Sequence, residues 1–356
     1  MPGLGVIFRI SVEDYFPGGL HADEGTQVAV WAAAGGADAV HVTAGHYRSL
    51  PSAAMMIPPM HLPEATFLDY AADIKARIKT PVIAVGRLGD PATAADAVAR
   101  GKTDFVALGR TLIADPEWVA KLARNEPIRR CLACNTCVND MRGGARLGCV
   151  VNATAARELR FRGGAPPKGE RIAVIGAGPA GLTYASLVAA DNAVTVFERA
   201  PRAGGAFRHA GKAPLFQEVE AHAQSFATYI DELVRACAHK GATFRFNVDV
   251  GARPDVLAPF ERVVIASGAR YRFGLGGAAT CVLDLGLARW PGLRRIFSSP
   301  RLRDWFYHRA RRGTASEVSR LVRPGQKLVV IGDAAKPGKS KEAIASAFAA
   351  ALLEHR

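Results

Sequence analysis

Residues 4–116 alternate short β-branched runs with stretches of helical period. The runs GVIFRIS, ADAVHVTAG, PVIAVGRL and TDFVALGR predict strands, and helices are predicted between them near residues 24–34, near 64–79 and through ATAADAVARG. The third helix is the best delimited: Asp90 stands at its N-cap, Pro91 at its first helical position and Gly101 just past its end. Alternation of this kind predicts parallel βα units. Four such strands are half of what a parallel barrel needs, so the first four strands of a barrel are expected to be absent.

The pattern then lapses. Residues 125–170 are rich in Cys, Arg, Gly and Pro and hold no sustained period, which predicts a connector. It resumes as RIAVIGAGPAGLTYASLVAA followed by AVTVFE: strand, glycine turn, helix and second strand. Residues 273–325 read as irregular and basic, and KLVVIGDAAKPGKSKEAIASAFAAALLEH supplies a last strand, turn and helix. The expected organisation is α/β throughout: a barrel-type unit over 1–124, a connector over 125–170 and a dinucleotide-binding domain over 171–356.

Composition narrows this little. With 356 residues and 49% apolar content, two or three cored domains are expected. No apolar run is long enough to cross a membrane and the start lacks the features of a secretory signal, so a cytoplasmic protein without an integral membrane segment is expected. A formal charge of +14 favours anionic ligands, but no zinc-finger, RNA-recognition or helix-turn-helix signature accompanies it, and nucleic acid is not an expected partner. The arginine-rich segment 287–313 interleaves Trp290, Phe297, Trp305, Phe306 and Tyr307. It suits a partner subunit, an acyl-CoA phosphate or a membrane surface, and equally a helix covering its domain with the basic face in water.

Two motifs carry chemistry. Cys131, Cys134, Cys137 and Cys149 read C-x2-C-x2-C-x11-C, in which four soft thiolates suit a 4Fe-4S cubane; a structural zinc site uses the same ligand type. Cys237 and Cys281 have no partner spacing and are expected to be small buried hydrophobes. Gly176, Gly178 and Gly181 form G-x-G-x-x-G between a predicted strand and helix, and Glu198 ends the next strand where an acid would bind ribose hydroxyls. Gly204 and Gly205, the run VVIASGA, and IGDAA with Asp333 point to FAD at this site, with Asp333 near the ribityl and phosphate region. Ordinary packed turns are the alternative.

FRIS at 8–11, EDYFPGGL at 13–20, HVTAG at 41–45, IPPM at 57–60, VIAVGRL at 82–88 and DFVALGRTLIADP at 104–116, followed by the cysteine cluster and GAGPAG, resemble the Old Yellow Enzyme-related multidomain reductases. That family includes 2,4-dienoyl-CoA and enoate reductases and the trimethylamine dehydrogenase-like enzymes. The resemblance implies a (β/α)8 FMN barrel, of which this chain carries the carboxyl-terminal half, a 4Fe-4S connector and a Rossmann-like FAD domain with a reduced nicotinamide-binding region. Electrons would pass between NAD(P)H, FAD, the cluster and FMN, ending on an activated C=C bond of an enoate or enoyl-CoA. Amine oxidation by the same cofactors, or an electron-transfer subunit without catalysis, are the rivals.

Carried over by residue, the resemblance makes Arg9 the strand cation beside the FMN ring, against a core salt bridge. It makes Gly86 with Arg87, and Gly109 with Arg110, the FMN phosphate site, against plain turn chemistry. His46 and Tyr47 occupy the loop where the family keeps its proton donors, although neither falls squarely on the family position. The half-barrel implies a partner subunit supplying the remaining strands, a homo-oligomer closing edge on edge, or a truncated member of the family.

Overall fold

A computed structural model describes residues 3–48, 50–272 and 275–353. The chain forms two compact units, residues 1–112 with 133–135, and residues 113–132 with 136–356.

In the first unit β1 (Ile7–Ser11), β2 (Ala39–Thr43), β3 (Val82–Ala84) and β4 (Phe105–Val106) form a parallel sheet in chain order. The register runs Arg9 to His41, His41 to Ile83 and Ile83 to Phe105. Side chains alternate across a strand, so this register sorts the sheet into two faces. Ile10, Val40, Val42, Val82 and Ala84 point to one face and are buried against Ala29, Leu68, Ala71, Ile74 and Ala97 of the helices. The other face is open: Ile7 is 60% and Phe105 58% exposed, and Arg9, two residues along β1 from Ile7, is exposed too.

The helices match the expected ones with one shortening. Ala22–Ala34 and Pro91–Ala99 form as read, and the Asp90 carboxylate accepts the Thr93 backbone N–H at 2.9 Å. The helix expected over 64–79 covers only Leu68–Lys75, because Ala65 adopts a left-handed φ of 54° that no helix can contain.

The second unit holds a parallel sheet of β5 (Arg171–Ile175), β6 (Ala193–Phe197), β9 (Thr243–Arg245), β10 (Arg262–Ile265) and β13 (Lys327–Val330), in the order β13-β10-β5-β6-β9. Earlier in chain order, β7 (Leu215–Phe216) and β8 (Val219–Glu220) make a small hairpin, and β11 (Ala269–Tyr271) pairs antiparallel with β12 (Arg311–Gly313). Both faces of the large sheet are covered. Helix Pro179–Val188 packs against Ala223–His239 and Ser340–Leu352, and on the opposite side Val250, Val256 and Leu257 bury Ala173, Ile175, Val263 and Ile265. Strands buried on both sides read as continuous apolar runs, as RIAVI and RVVI do.

Two expectations need correction. The basic stretch 273–325 is more regular than its composition suggests, containing the helices Leu275–Asp284, Pro291–Ser298 and Pro300–His308. Proline opens the last two at their first turns, where its missing N–H costs nothing. Phe273 and Gly274, and the side chains of Phe306 and Tyr307, lie outside the described residues. Cys237 is fully buried as expected, but Cys281 is exposed, because it lies on one of these surface helices and not against a sheet. No helix among the described residues is long and apolar enough to cross a membrane.

Candidate functional site

The carboxyl ends of β1 to β4 carry the candidate residues of the first unit, the edge at which parallel barrels keep their chemistry. After β1 the chain turns through Asp14 and Tyr15, the latter at a left-handed φ of 57° that a tyrosine adopts only when its surroundings enforce it. The Tyr15 hydroxyl lies 3.4 Å from that of Tyr70, and burial is the main cause that raises its pKa well above the ordinary phenol value. It stays protonated.

After β2, His46 is fixed on three sides. The Arg48 backbone N–H donates to its Nδ1 at 2.8 Å, and its own backbone N–H donates to Ser52 Oγ at 2.8 Å. Its ring meets Phe16 edge-on at 5.1 Å. An Nδ1 that accepts leaves the proton of a neutral imidazole on Nε2, and Nε2 faces Asp14 Oδ1 at 3.6 Å. Tyr47, its neighbour, is largely exposed in the turn.

On the strands themselves, Arg9 stands opposite His41, whose Nε2 is buried with no hydrogen-bond partner. Burial first and the Arg9 charge second hold the His41 imidazole below its usual pKa, so it is neutral. After β3, Gly86 and Arg87 both adopt positive φ, and Arg87 Nη1 donates to the carbonyls of Pro59 and Leu62. After β4, a Cβ on Gly109 would meet no atom within 4 Å, leaving open space beside its backbone. Arg110 Nη1 donates to Asn135 Oδ1 at 2.5 Å, and Asn135 in turn donates to the Ile57 carbonyl at 2.8 Å. An open strand end flanked by arginines has the donor chemistry of a phosphate site.

The cysteines follow. Cys134 and Cys137 are buried, Cys131 and Cys149 half-buried. Ala133 and Asn135, on either side of Cys134, take left-handed φ values of 50° and 56°. Two such residues in a row of three mark a backbone wound against its own preference, as ligand-binding loops are. Among the described residues no group of three or more His, Cys, Asp or Glu side chains is placed to hold a metal ion. What supports the ligand set is thiol chemistry, spacing and this winding.

In the second unit the glycine turn has the close packing that its residues predict. Gly176 has φ 108°, and a Cβ there would lie 2.5 Å from the Ala266 carbonyl oxygen. A Cβ on Gly181 would strike the Gly176 carbonyl, so helix Pro179–Val188 can approach the strand only with glycine there. Gly178 is the N-cap of that helix, and Gly205, at φ 47°, brings a second backbone segment against it. Glu198 ties the cradle together: Oε2 accepts the Ala177 N–H at 2.8 Å and Oε1 the Ala200 N–H at 2.9 Å. A helix amino end with bare backbone and an adjacent carboxylate fits a pyrophosphate and a ribose.

Asp333 sits at the amino side of helix Ser340–Leu352, and its carboxylate is paired with Arg311 Nη1 at 2.6 Å and accepts the Gly338 N–H at 3.1 Å. Burial pushes its pKa above the ordinary value, with Arg311 opposing. The partner Arg311, the Asp14–His46 pair and the Tyr15–Tyr70 pair were not singled out from sequence. The motif EDYF contained two of these residues, but the pairings span 32 and 55 positions and depend on the sheet.

Residues 3–128 match the model of the NADH:flavin oxidoreductase / NADH oxidase family, and residues 174–238 match a NAD(P)-binding Rossmann-like domain. The chain is 33% identical over 273 residues to an NADH oxidase of Thermoanaerobacter brockii, covering 74% of this chain and 40% of that protein. It is 31% identical over 197 residues to a cinnamate reductase of Clostridium sporogenes, covering 54% of this chain and 29% of that one. The chain therefore matches well under half the length of these relatives. Among solved structures, a 2-naphthoyl-CoA reductase shares the fold with a TM-score of 0.78 at 20% identity, over 98% of this chain and 65% of that one.

Proposed function

The chain belongs to the Old Yellow Enzyme-related NADH:flavin oxidoreductase family, and from that premise we propose that it moves electrons from NAD(P)H to an activated C=C bond, of an enoate or enoyl-CoA. FAD, a 4Fe-4S cluster and FMN, when bound, would supply hydride transfer and the splitting of an electron pair into single steps. The remaining chemistry belongs to the residues. The amides of Gly178 and of Ala180 and Gly181 in the first turn of helix Pro179–Val188 would bind the FAD pyrophosphate, Gly176 makes the turn that presents them, and Glu198 would orient the ribose. Gly205 lines the same cradle, and Asp333, held by Arg311, binds toward the ribityl chain. Cys131, Cys134, Cys137 and Cys149 ligate the cluster.

In the first unit Arg9 sets positive charge on the open face of the sheet, where it favours electron-rich flavin. Gly86, Arg87, Gly109 and Arg110 hold the FMN phosphate at the strand ends. His46, held by the Arg48 N–H at Nδ1 and with Asp14 3.6 Å from its Nε2, would supply a proton to the substrate carbon. Tyr47 lines the substrate beside it. Further βα units, on this polypeptide or a partner, cover the open face and complete the FMN site.

The observation that carries this proposal is the nucleotide cradle of Gly176, Gly178, Gly205 and Glu198, following in one chain a sheet whose carboxyl edge bears Arg110 and a positioned histidine. Acid-released flavin, iron and sulfide from purified protein test it, together with NADH-dependent loss of a cinnamate-type enoate. FAD, iron and sulfide are expected, with FMN retained when the open sheet face is covered. Zinc in place of iron and no flavin would sink the proposal; FAD and cluster without enoate turnover under any completion of the sheet would leave an electron carrier.

A further inference from the structure

The arginine-rich helices of the second unit are not used by any of the cofactor chemistry. Among the described side chains of helices Pro291–Ser298 and Pro300–His308 none is buried. Most of their exposed side chains are arginines or apolar groups, with Asp304 and His308 the exceptions among the described residues. On the second helix Leu302 and Trp305 are three apart and the C-cap Arg309 lies four further on, so they line one solvent-facing stripe, with the exposed Arg301 on its flank. On the first, Arg294 and Arg295 are exposed beside Ile296, which is 52% exposed, and Trp290 at its N-cap is 63% exposed.

Acidic side chains are nearly absent from this patch. Asp304 is the acid between residues 285 and 312, and it is paired with Lys339 at 3.1 Å. Among the described residues this face offers mainly guanidinium groups, indole rings and aliphatic side chains, and so is poor in the acceptors that a specific protein interface intersperses with its donors. Nucleic acid would account for the arginines and leave Ile296 and Leu302 in water. A layer that is anionic at its surface and apolar just beneath accounts for both kinds of side chain, and it needs no fixed register. Helices of eight and nine residues are too short to span a bilayer but long enough to lie in its surface plane.

We propose that the exposed face of Trp290 to Arg309 is a docking surface for an anionic lipid membrane, with Arg294, Arg295 and Arg301 on phosphate-bearing headgroups and Trp290, Ile296 and Trp305 in the interfacial layer. An electron-transfer protein held there would meet an apolar acyl substrate where such molecules concentrate. The excursion leaves from β11 and returns to β12, so the docking face is anchored at its base by a paired strand.

Flotation of the full chain with vesicles tests this. Vesicles of phosphatidylcholine with roughly one-quarter phosphatidylglycerol should carry the protein, pure phosphatidylcholine vesicles far less, and high salt should release it. Because the whole chain is basic, a local comparison decides the matter. Arg294→Glu/Arg295→Glu/Arg301→Glu should lower partition at least about tenfold, whereas the equally charged and equally exposed set Arg253→Glu/Arg320→Glu/Arg323→Glu should change it less than about twofold. Replacement of the first three by Gln gives the same ordering if the reversed set folds poorly by circular dichroism. Trp290→Ala/Trp305→Ala should abolish the blue shift of tryptophan emission on adding anionic vesicles. Equal losses from the two arginine sets, equal binding to neutral and anionic vesicles, or no flotation at all would overturn the proposal.

Discussion

The two parallel sheets differ in what covers them. The five-stranded sheet is packed on both sides and its three central strands are buried almost end to end, while the four-stranded sheet buries Val40, Val42 and Val82 and leaves Ile7 and Phe105 in solvent. Parallel sheets with one bare apolar face are rare, since nothing offsets the hydration of that face. The covered sheet therefore carries a site whose geometry is closed and strict, and the half-covered sheet carries one whose residues are positioned along an edge with space above them. Strictness here is a matter of steric contact; openness is a matter of exposed side chains such as Ile7 and Phe105.

The sharpest break is expected at the strict site. Gly181→Val drives a branched side chain into the Gly176 carbonyl, and we expect destabilisation above about 4 kcal/mol with loss of the FAD proposed for this site, read from chemical denaturation and flavin content. Retained flavin would mean that the turn is softer than its packing implies.

Next in size is the ion pair at the base of the same sheet. The Arg262 guanidinium, hydrogen-bonded at 2.6 Å, holds the Glu170 carboxyl down from its ordinary 4.5 to about 2, with burial opposing and Lys327 assisting. A carboxyl depressed in the folded state stabilises fully above its unfolded pKa and loses that contribution as pH falls from about 4.5 towards 2. Glu170→Gln leaves Arg262, 4% exposed, without its anion and should cost about 3 kcal/mol at neutral pH. It should also flatten the acid limb of a stability profile measured by urea titration.

The two faces of the four-stranded sheet give a smaller and more direct contrast. Val40→Ala on the covered face should cost about 2 kcal/mol, while Phe105→Ala, the larger truncation, should cost below about 0.5 kcal/mol in the chain alone. A cost above about 2 kcal/mol for Phe105 would show that something covers that face in solution. Smallest of all is a chemical difference: a maleimide should label Cys281 quickly and leave Cys237 untouched in the folded state, because burial pushes the Cys237 thiol up to about 12. Rapid labelling at Cys237 would indicate that the covered sheet opens readily.

The same division explains what the sequence made legible. Asp90 with Pro91, and the glycine turn with Glu198, are local devices, and each lies where its chemistry says it should. The strands were legible because their apolar runs are continuous or strictly alternating. The helix before Lys79 was overestimated because a single left-handed residue, Ala65, carries no compositional mark. A helix was among the readings of 287–313, but the bounds of the helices at 291–308 were not legible, because few of their apolar residues face a core and arginine dilutes the period that betrays a packed helix. Cys281 was assigned to the interior on residue type alone. The His46–Asp14 pairing joins loops after two different strands, and only the register of β1 on β2 brings them together.

The pairing of Ala269–Tyr271 with Arg311–Gly313 has an evolutionary corollary. An excursion whose two ends are zipped side by side can lengthen, shorten or be exchanged at little cost, since closing a longer loop adds only a logarithmic entropic penalty. Arg311, which grips Asp333, lies on the returning strand, outside the interchangeable stretch. Relatives could thus diversify where they localise, or what they recruit, by swapping a cassette, while inheritance of the flavin-handling apparatus stays undisturbed.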